Sequence, residues 1–175
     1  LSSLVGSEMC IRDRFNKLTS MSKKVSLQIG NGETLDFKDE IFDGGYSQHV
    51  TMNIKNRKEF FLEAYRVLKK GTFFAFSEHG LGPKGNPIFP LPWADTSEMS
   101  FLLSPESTIS LLKEIGFYDI QIIETSEKYI SGYEKMIDNK SKKEKPILGI
   151  HVIGGATMKQ RSINSMKSIK EKRTL

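Results

Sequence analysis

The sequence predicts an α/β domain built on a parallel sheet with helices on both faces. Three observations carry this expectation. The segment from Phe42 to Gly71 reads as a strand, a sharp exit, an amphipathic helix and a glycine stop. The apolar run from Thr72 to Ser77 follows at once and suits a buried parallel strand. A second helix and strand then repeat the order over residues 104–124. Strand, helix, strand connections within one sheet are right-handed and give a parallel core.

Taken along the chain, residues 1–14 (LSSLVGSEMCIRDR) hold no sustained period of 2 or 3.6 and resemble translated sequencing-adapter peptide. They are set apart as non-native, and Cys10 goes with them. Residues 15–158 form the domain. Its first elements are the last turns of a helix over Phe15 to Met21 and a strand over Val25 to Ile29, left through Gly30, Asn31 and Gly32. The strand from Phe42 to Tyr46 comes next and is expected parallel to the one from Thr72. Between them, Asn56 with Glu59 reads as a capping box, and Phe60, Phe61, Ala64, Val67 and Leu68 line one helix face. Lys69 and Lys70 suit the negative end of the helix dipole, and Gly71 is its expected stop. Ser104 as cap, Pro105 at the first helical position, the apolar Ile109, Leu112 and Ile115, and Gly116 delimit the second helix. Phe117 to Glu124 alternates, with Ile120 and Ile122 inward, and reads as the last strand. Leu148 to Ile153 suits either a strand or the first turn of a helix.

Gly80 to Leu103 is a 24-residue loop with four of the six prolines and the only tryptophan, Trp93. Loops of that length in compact domains are uncommon and usually functional. Its apolar residues must cover something, either a sheet edge or a bound molecule.

Composition narrows the class. A chain of 175 residues, 38% hydrophobic and 27% charged, is one ordinary domain with a sizeable core. No apolar run reaches the roughly 18 residues of a membrane span, and a single cysteine excludes an internal disulfide framework. A cytoplasmic address is expected. Six basic residues and one acid between Lys159 and Arg173 account for the whole net charge of +5. Without interleaved aromatics that tail does not suit a phosphate backbone. Residues 159–175 are read instead as a helix docking Ile163, Met166 and Ile169 with its cations in water, and no nucleic-acid partner is expected.

The pattern Phe42-Asp43, Ser47, then Glu63 to Gly71 (EAYRVLKKG), continued by the loop from Ser77 to Glu106, resembles class I S-adenosylmethionine-dependent methyltransferases of the type 11 small-molecule family. The loop looks like the one that sarcosine and dimethylglycine N-methyltransferase-like enzymes place over the acceptor. The resemblance implies a partial Rossmann-like sheet whose first strands are missing, since no glycine-rich turn of the G-x-G-x-x-G type follows a buried strand. It also implies S-adenosyl-L-methionine as cofactor and a small-molecule acceptor, an amine of the dimethylglycine type. As given, the chain is expected to be inactive.

By the same resemblance, Asn31 and Gly32 lie where adenine contacts sit, although an acid is more usual at the position of Asn31. Ser47 and Gln48 fall beside the methionine moiety, His49 beside the transferring methyl, and His79 and Trp93 line the acceptor pocket. Each also has a plainer reading. Asn31 between two glycines suits a turn with φ > 0. Ser47 suits a cap, His49 a hydrogen-bonded structural histidine, and His79 the start of a loop. A metal site from His49, Glu78 and His79 needs a convergence that no spacing predicts, so none is assigned. Only Lys84 in the loop could meet an acceptor carboxylate, which keeps quinone-like and sterol-like acceptors open. A non-catalytic α/β binding module is the alternative from another class. A nucleotide-dependent oxidoreductase shares the sheet but lacks a Tyr-x-x-x-Lys pair here.

Overall fold

The computed structural model describes residues 18, 20, 23–139 and 157–175. Two strands, β1 (Gly45–Gln48) and β2 (Phe74–Ser77), pair in parallel with Gly45 opposite Phe74 and Gln48 opposite Ser77. Helix α1 (Arg57–Val67) makes the crossover between them, as the long connection of a parallel pair requires. Along each strand half-buried and exposed residues alternate. The half-buried Phe74 and Phe76 meet Phe61 of α1, with ring centroids 6.3 and 5.2 Å away. Phe61 is fully buried, and Ala64, Val67 and Leu68 complete the predicted face. Among the described residues the opposite face is uncovered, with Tyr46 81% exposed.

Helix α2 (Pro105–Ile115) has the predicted signals in place. Ser104 Oγ accepts from Ser107 N at 3.2 Å, Pro105 opens the helix, and Gly116 ends it at φ +119°. The C-terminal half adds α3 (Ser126–Asn139) and α4 (Met158–Lys170).

Several expected boundaries change. Val25 to Ile29 and Phe117 to Glu124 are not strands: neither has a ladder among the described residues, and Ile29, Ile122 and Ile123 are exposed. Alternation of side chains permits a strand, but hydrogen bonding to a neighbour makes one. The strand expected from Phe42 starts at Gly45, because Phe42 instead bridges Leu68 at the end of α1. That bridge also ends the helix, with Leu68 extended at ψ 138°. Gly71, at φ +75°, therefore serves the turn into β2 rather than the helix stop. Asn56 does cap α1 in position, but its side chain makes no capping bond and its Nδ2 turns to Glu33 at 3.4 Å. The helix expected over Phe15 to Met21 and the segment Leu148 to Ile153 lie outside the described residues.

The tail from residue 159 is helical as expected, and of the predicted stripe Ile169 is buried while Ile163 and Met166 are half-buried, with polar residues taking up the rest of the buried face. Met158, Ser162, Asn164, Ser165, Ser168 and Ile169 are buried. The reason is the partner: the proline-rich loop brings unpaired backbone groups, which need polar side chains. Ile88 N donates to Ser168 Oγ at 2.9 Å, Asn164 Nδ2 to Pro90 O at 3.0 Å, and Arg161 Nη1 to Leu91 O at 2.8 Å. At the loop's base, Leu81 bridges Thr174 antiparallel, and Gly82 N donates to Arg173 O at 2.8 Å. A Cβ on Gly82 would sit 2.2 Å from Lys172 O. Gly82→Ala is therefore expected to destabilise the chain by about 1–3 kcal/mol, read as a lower midpoint in thermal or urea unfolding.

Candidate active site

Both strands end on histidine-bearing turns. His49 follows β1 with its backbone N donating to Ser77 O at 2.9 Å, so it hangs on the end of β2. Its φ is +53°, a left-handed conformation uncommon for a side-chain-bearing residue. Non-glycine residues held there cluster at functional sites and cost about 1–3 kcal/mol. His79 lies two residues past β2 and is only 5% exposed. In an open parallel sheet these carboxyl ends are where ligands bind.

The structure gathers His49, His79 and Trp93, as the sequence leads one to expect. The His79 ring stacks on Trp93 at 4.5 Å with 16° between planes, and lies 5.7 Å from His49. Trp93 is pinned by its Nε1 donating to Ser100 Oγ at 3.1 Å. A fourth member was missed: Tyr129, on the first turns of α3. Its Oη lies 2.8 Å from His49 Nε2, and its ring meets His79 edge-on at 5.3 Å. The signal for it was faint, a pair of tyrosines at i and i+4, Tyr129 and Tyr133, on one helix face. Tyr133 in turn accepts from Ser165 Oγ of α4 at 3.1 Å, which ties α3 to the tail.

Burial sets the protonation states. Desolvation lowers the pKa of His49, and it raises that of Tyr129. His79 is pushed down to about 4, by burial first and by the neighbouring His49 second. Both imidazoles are thus neutral near pH 7, when Nε2 of His49 can accept the Tyr129 hydroxyl proton. A histidine whose folded pKa is depressed binds its proton more readily in the unfolded state. The stability it contributes is complete above about 6.5 and is lost as pH falls towards 4. Urea unfolding is expected to show about 3 kcal/mol lost over that window, reduced when His79 is replaced by Gln.

The four residues assigned to the cofactor are more dispersed. Asn31 is in a turn, its Oδ1 accepting from Glu33 N at 3.0 Å and its carbonyl from Thr34 N at 3.0 Å, without the expected positive φ. Gly32 backs onto Phe60, where a Cβ would come within 3.0 Å of the ring. Ser47 is half-buried and Gln48 exposed at the carboxyl end of β1. Two adjoining hollows, neither lined by His49, His79, Trp93 or Tyr129, run one along Phe74, Phe76, Leu112 and Phe117 and the other between Leu81, Pro105, Ile130 and Ile169. Among the described residues there is no group of metal-ligating side chains, and no helix long and apolar enough to cross a membrane.

Residues 7–76 match the family model described as Methyltransferase domain. The match begins within the segment set apart at the start of the chain. A relative 33% identical over 110 residues, the biotin biosynthesis bifunctional protein BioHC of Teredinibacter turnerae, is matched over 60% of this chain but 18% of its own length. Among solved structures, a candidate sarcosine dimethylglycine methyltransferase from Galdieria sulphuraria superposes with a TM-score of 0.74 at 16% identity, over 93% of this chain and 60% of that one. Geranyl diphosphate C-methyltransferase of Streptomyces coelicolor, solved with S-adenosyl-L-homocysteine, superposes with a TM-score of 0.70 at 12% identity, over 96% and 58%. At such identities the likeness shows the fold. The chain spans less than a fifth of BioHC and about three fifths of the two structures.

Proposed function

From a chain that carries part of a methyltransferase domain of this family and of the class I methyltransferase fold, we propose that the protein is the acceptor-side portion of an S-adenosylmethionine-dependent methyltransferase acting on a small amine of the dimethylglycine type. One observation carries the reading: a neutral, partly desolvated His49 bonded to Tyr129 at 2.8 Å where the two parallel strands end. An amine acceptor arrives protonated and must lose that proton before its nitrogen can attack. That calls for one base of pKa near or below neutrality.

The assigned residues fit the donor as polar contacts. Gln48 is exposed and Ser47 half-exposed at the strand end, suited to a methionine carboxylate and ammonium, and Asn31 keeps its amide NH2 outside the Asx turn for adenine. When bound, S-adenosylmethionine supplies a methyl group on a sulfonium, already reactive, so the protein's task is alignment. Tyr129 Oη passes its proton to His49 Nε2 as it takes the one leaving the ammonium. The neutral nitrogen left by that proton transfer would be the nucleophile for the methyl group that the bound donor would supply. Trp93, stacked on His79, gives an apolar wall that excludes water from this path.

The test is methyl transfer from labelled donor by the longer parent enzyme to a panel of small amines and quinols. Label on an amine is the expected result. Label on a quinol alone would move the acceptor class, and donor binding without transfer to any acceptor would favour the non-catalytic module. Because no glycine-rich turn or ribose-binding acid is recognisable in this chain, residues 15–175 alone are expected to bind the donor more weakly than micromolar in calorimetry.

A further inference from the structure

One carboxylate joins the two histidine-bearing segments after β1 and β2 to the start of α1. Glu78 Oε2 accepts a hydrogen bond from Thr51 Oγ1 and lies 2.8 Å from Arg57 Nη1. Thr51 is two residues past His49, Arg57 opens α1, and Glu78 immediately precedes His79. All are shielded, with Thr51 1%, Arg57 4% and the Glu78 side chain 11% exposed.

Stability does not explain this arrangement. A cation at the start of a helix opposes the dipole, and a buried ion pair is commonly no better than apolar residues of the same volume. Arg57 is poorly satisfied besides. Its Nε and Nη2 find no acceptor among the described residues, and the approach of Nη1 to Glu78 is close but poorly angled for a hydrogen bond. Burial lowers the Arg57 pKa, and Glu78 opposes that shift. What the cluster does fix is the exit of β1. The left-handed backbone of His49 relaxes unless it is held on both sides. Upstream it is held by His49 N on Ser77 O, and two residues downstream by the Thr51 hydroxyl on Glu78.

We propose that Glu78 is a positioning residue: its side-chain oxygen accepts the Thr51 hydroxyl and so holds the Thr51 turn where the His49 ring meets Tyr129. As a statement about catalysis this rests on the base role given to His49 above; as a statement about geometry it stands without it.

The experiment is a proton-NMR pH titration of the imidazoles in the full 175-residue chain, which has three histidines. The His49 signal is assigned by its loss in His49→Ala. Two charge-free double variants are compared, Arg57→Met/Glu78→Gln, which keeps an acceptor for Thr51, and Arg57→Met/Glu78→Leu, which does not. Thr51→Val is the third variant and leaves the ion pair intact. The Gln double variant is expected to titrate like the parent. In the Leu double variant and in Thr51→Val, the His49 midpoint is expected to rise towards its ordinary value of 6.5 as the ring swings into water. A purely structural role predicts the same His49 midpoint in both double variants, and that result, or an unmoved midpoint in Thr51→Val, overturns the proposal. Should the Leu variant fail to fold, Thr51→Val decides alone. Shifted midpoints in an enzyme that transfers no methyl group would leave the positioning role standing and remove the catalytic one.

Discussion

His49→Ala in the parent enzyme is expected to lower kcat by about a hundredfold or more at saturating donor, with donor affinity nearly unchanged. The size follows from what a positioned base contributes to a proton transfer, and the selectivity from placement. His49 meets Tyr129 and His79, while the residues assigned to the donor, Asn31, Gly32, Ser47 and Gln48, lie on the turn after Ile29 and on β1. Asn31→Ala should do the reverse, weakening donor binding while leaving turnover at saturation close to the parent. Trp93→Ala should resemble the histidine change more weakly, because it opens the wall against His79 to water without touching the donor's contacts. Steady-state kinetics with each substrate varied in turn read all three. If His49→Ala and Trp93→Ala both match the parent, the cluster is structural.

Phe61→Ala is expected to destabilise the chain by about 3–5 kcal/mol in urea unfolding. Phe61 is fully buried and touches three aromatic rings, Phe60 at 5.5 Å, Phe76 at 5.2 Å and Phe74 at 6.3 Å. It packs α1 against Phe74 and Phe76 of β2, so its loss leaves a cavity in that core. Phe60→Ala makes the comparison, since Phe60 is half-buried on the rim of the same cluster and should cost distinctly less.

How far the molecule was legible in its sequence follows the range of the interactions concerned. The buried face of α1 and the caps of α2 depend on residues a turn apart, and Phe61, Ala64, Val67, Ser104 and Gly116 take up their predicted places. The parallel pairing of β1 with β2 was legible too, because a helix-length crossover leaves no room for a hairpin. Val25 to Ile29 and Phe117 to Glu124 were misread because their composition suits strands while nothing local shows whether a neighbour is present to pair with. The tail was misread for a related reason. Ser168 and Asn164 look solvent-facing until the loop's Ile88 N–H and Pro90 carbonyl are brought to them from 74 and more residues away. At the site, His49, His79 and Trp93 could be grouped because strand ends and long loops converge at one edge of a parallel sheet. Tyr129 lies 80 residues from His49, and no spacing announces such a contact. The same holds for Glu78 with Thr51, 27 residues apart.

Trp93 is the chain's single tryptophan and is stacked within the cluster, so its fluorescence tests the assignment of this cluster as the acceptor site most directly. Titrating the donor-loaded parent enzyme with whichever small acceptor it methylates should change the Trp93 emission saturably, with a midpoint near the acceptor's Michaelis constant, and Tyr129→Phe should weaken that midpoint. Methyl transfer that proceeds while Trp93 emission stays unchanged at saturating acceptor would place the acceptor elsewhere and contradict the account.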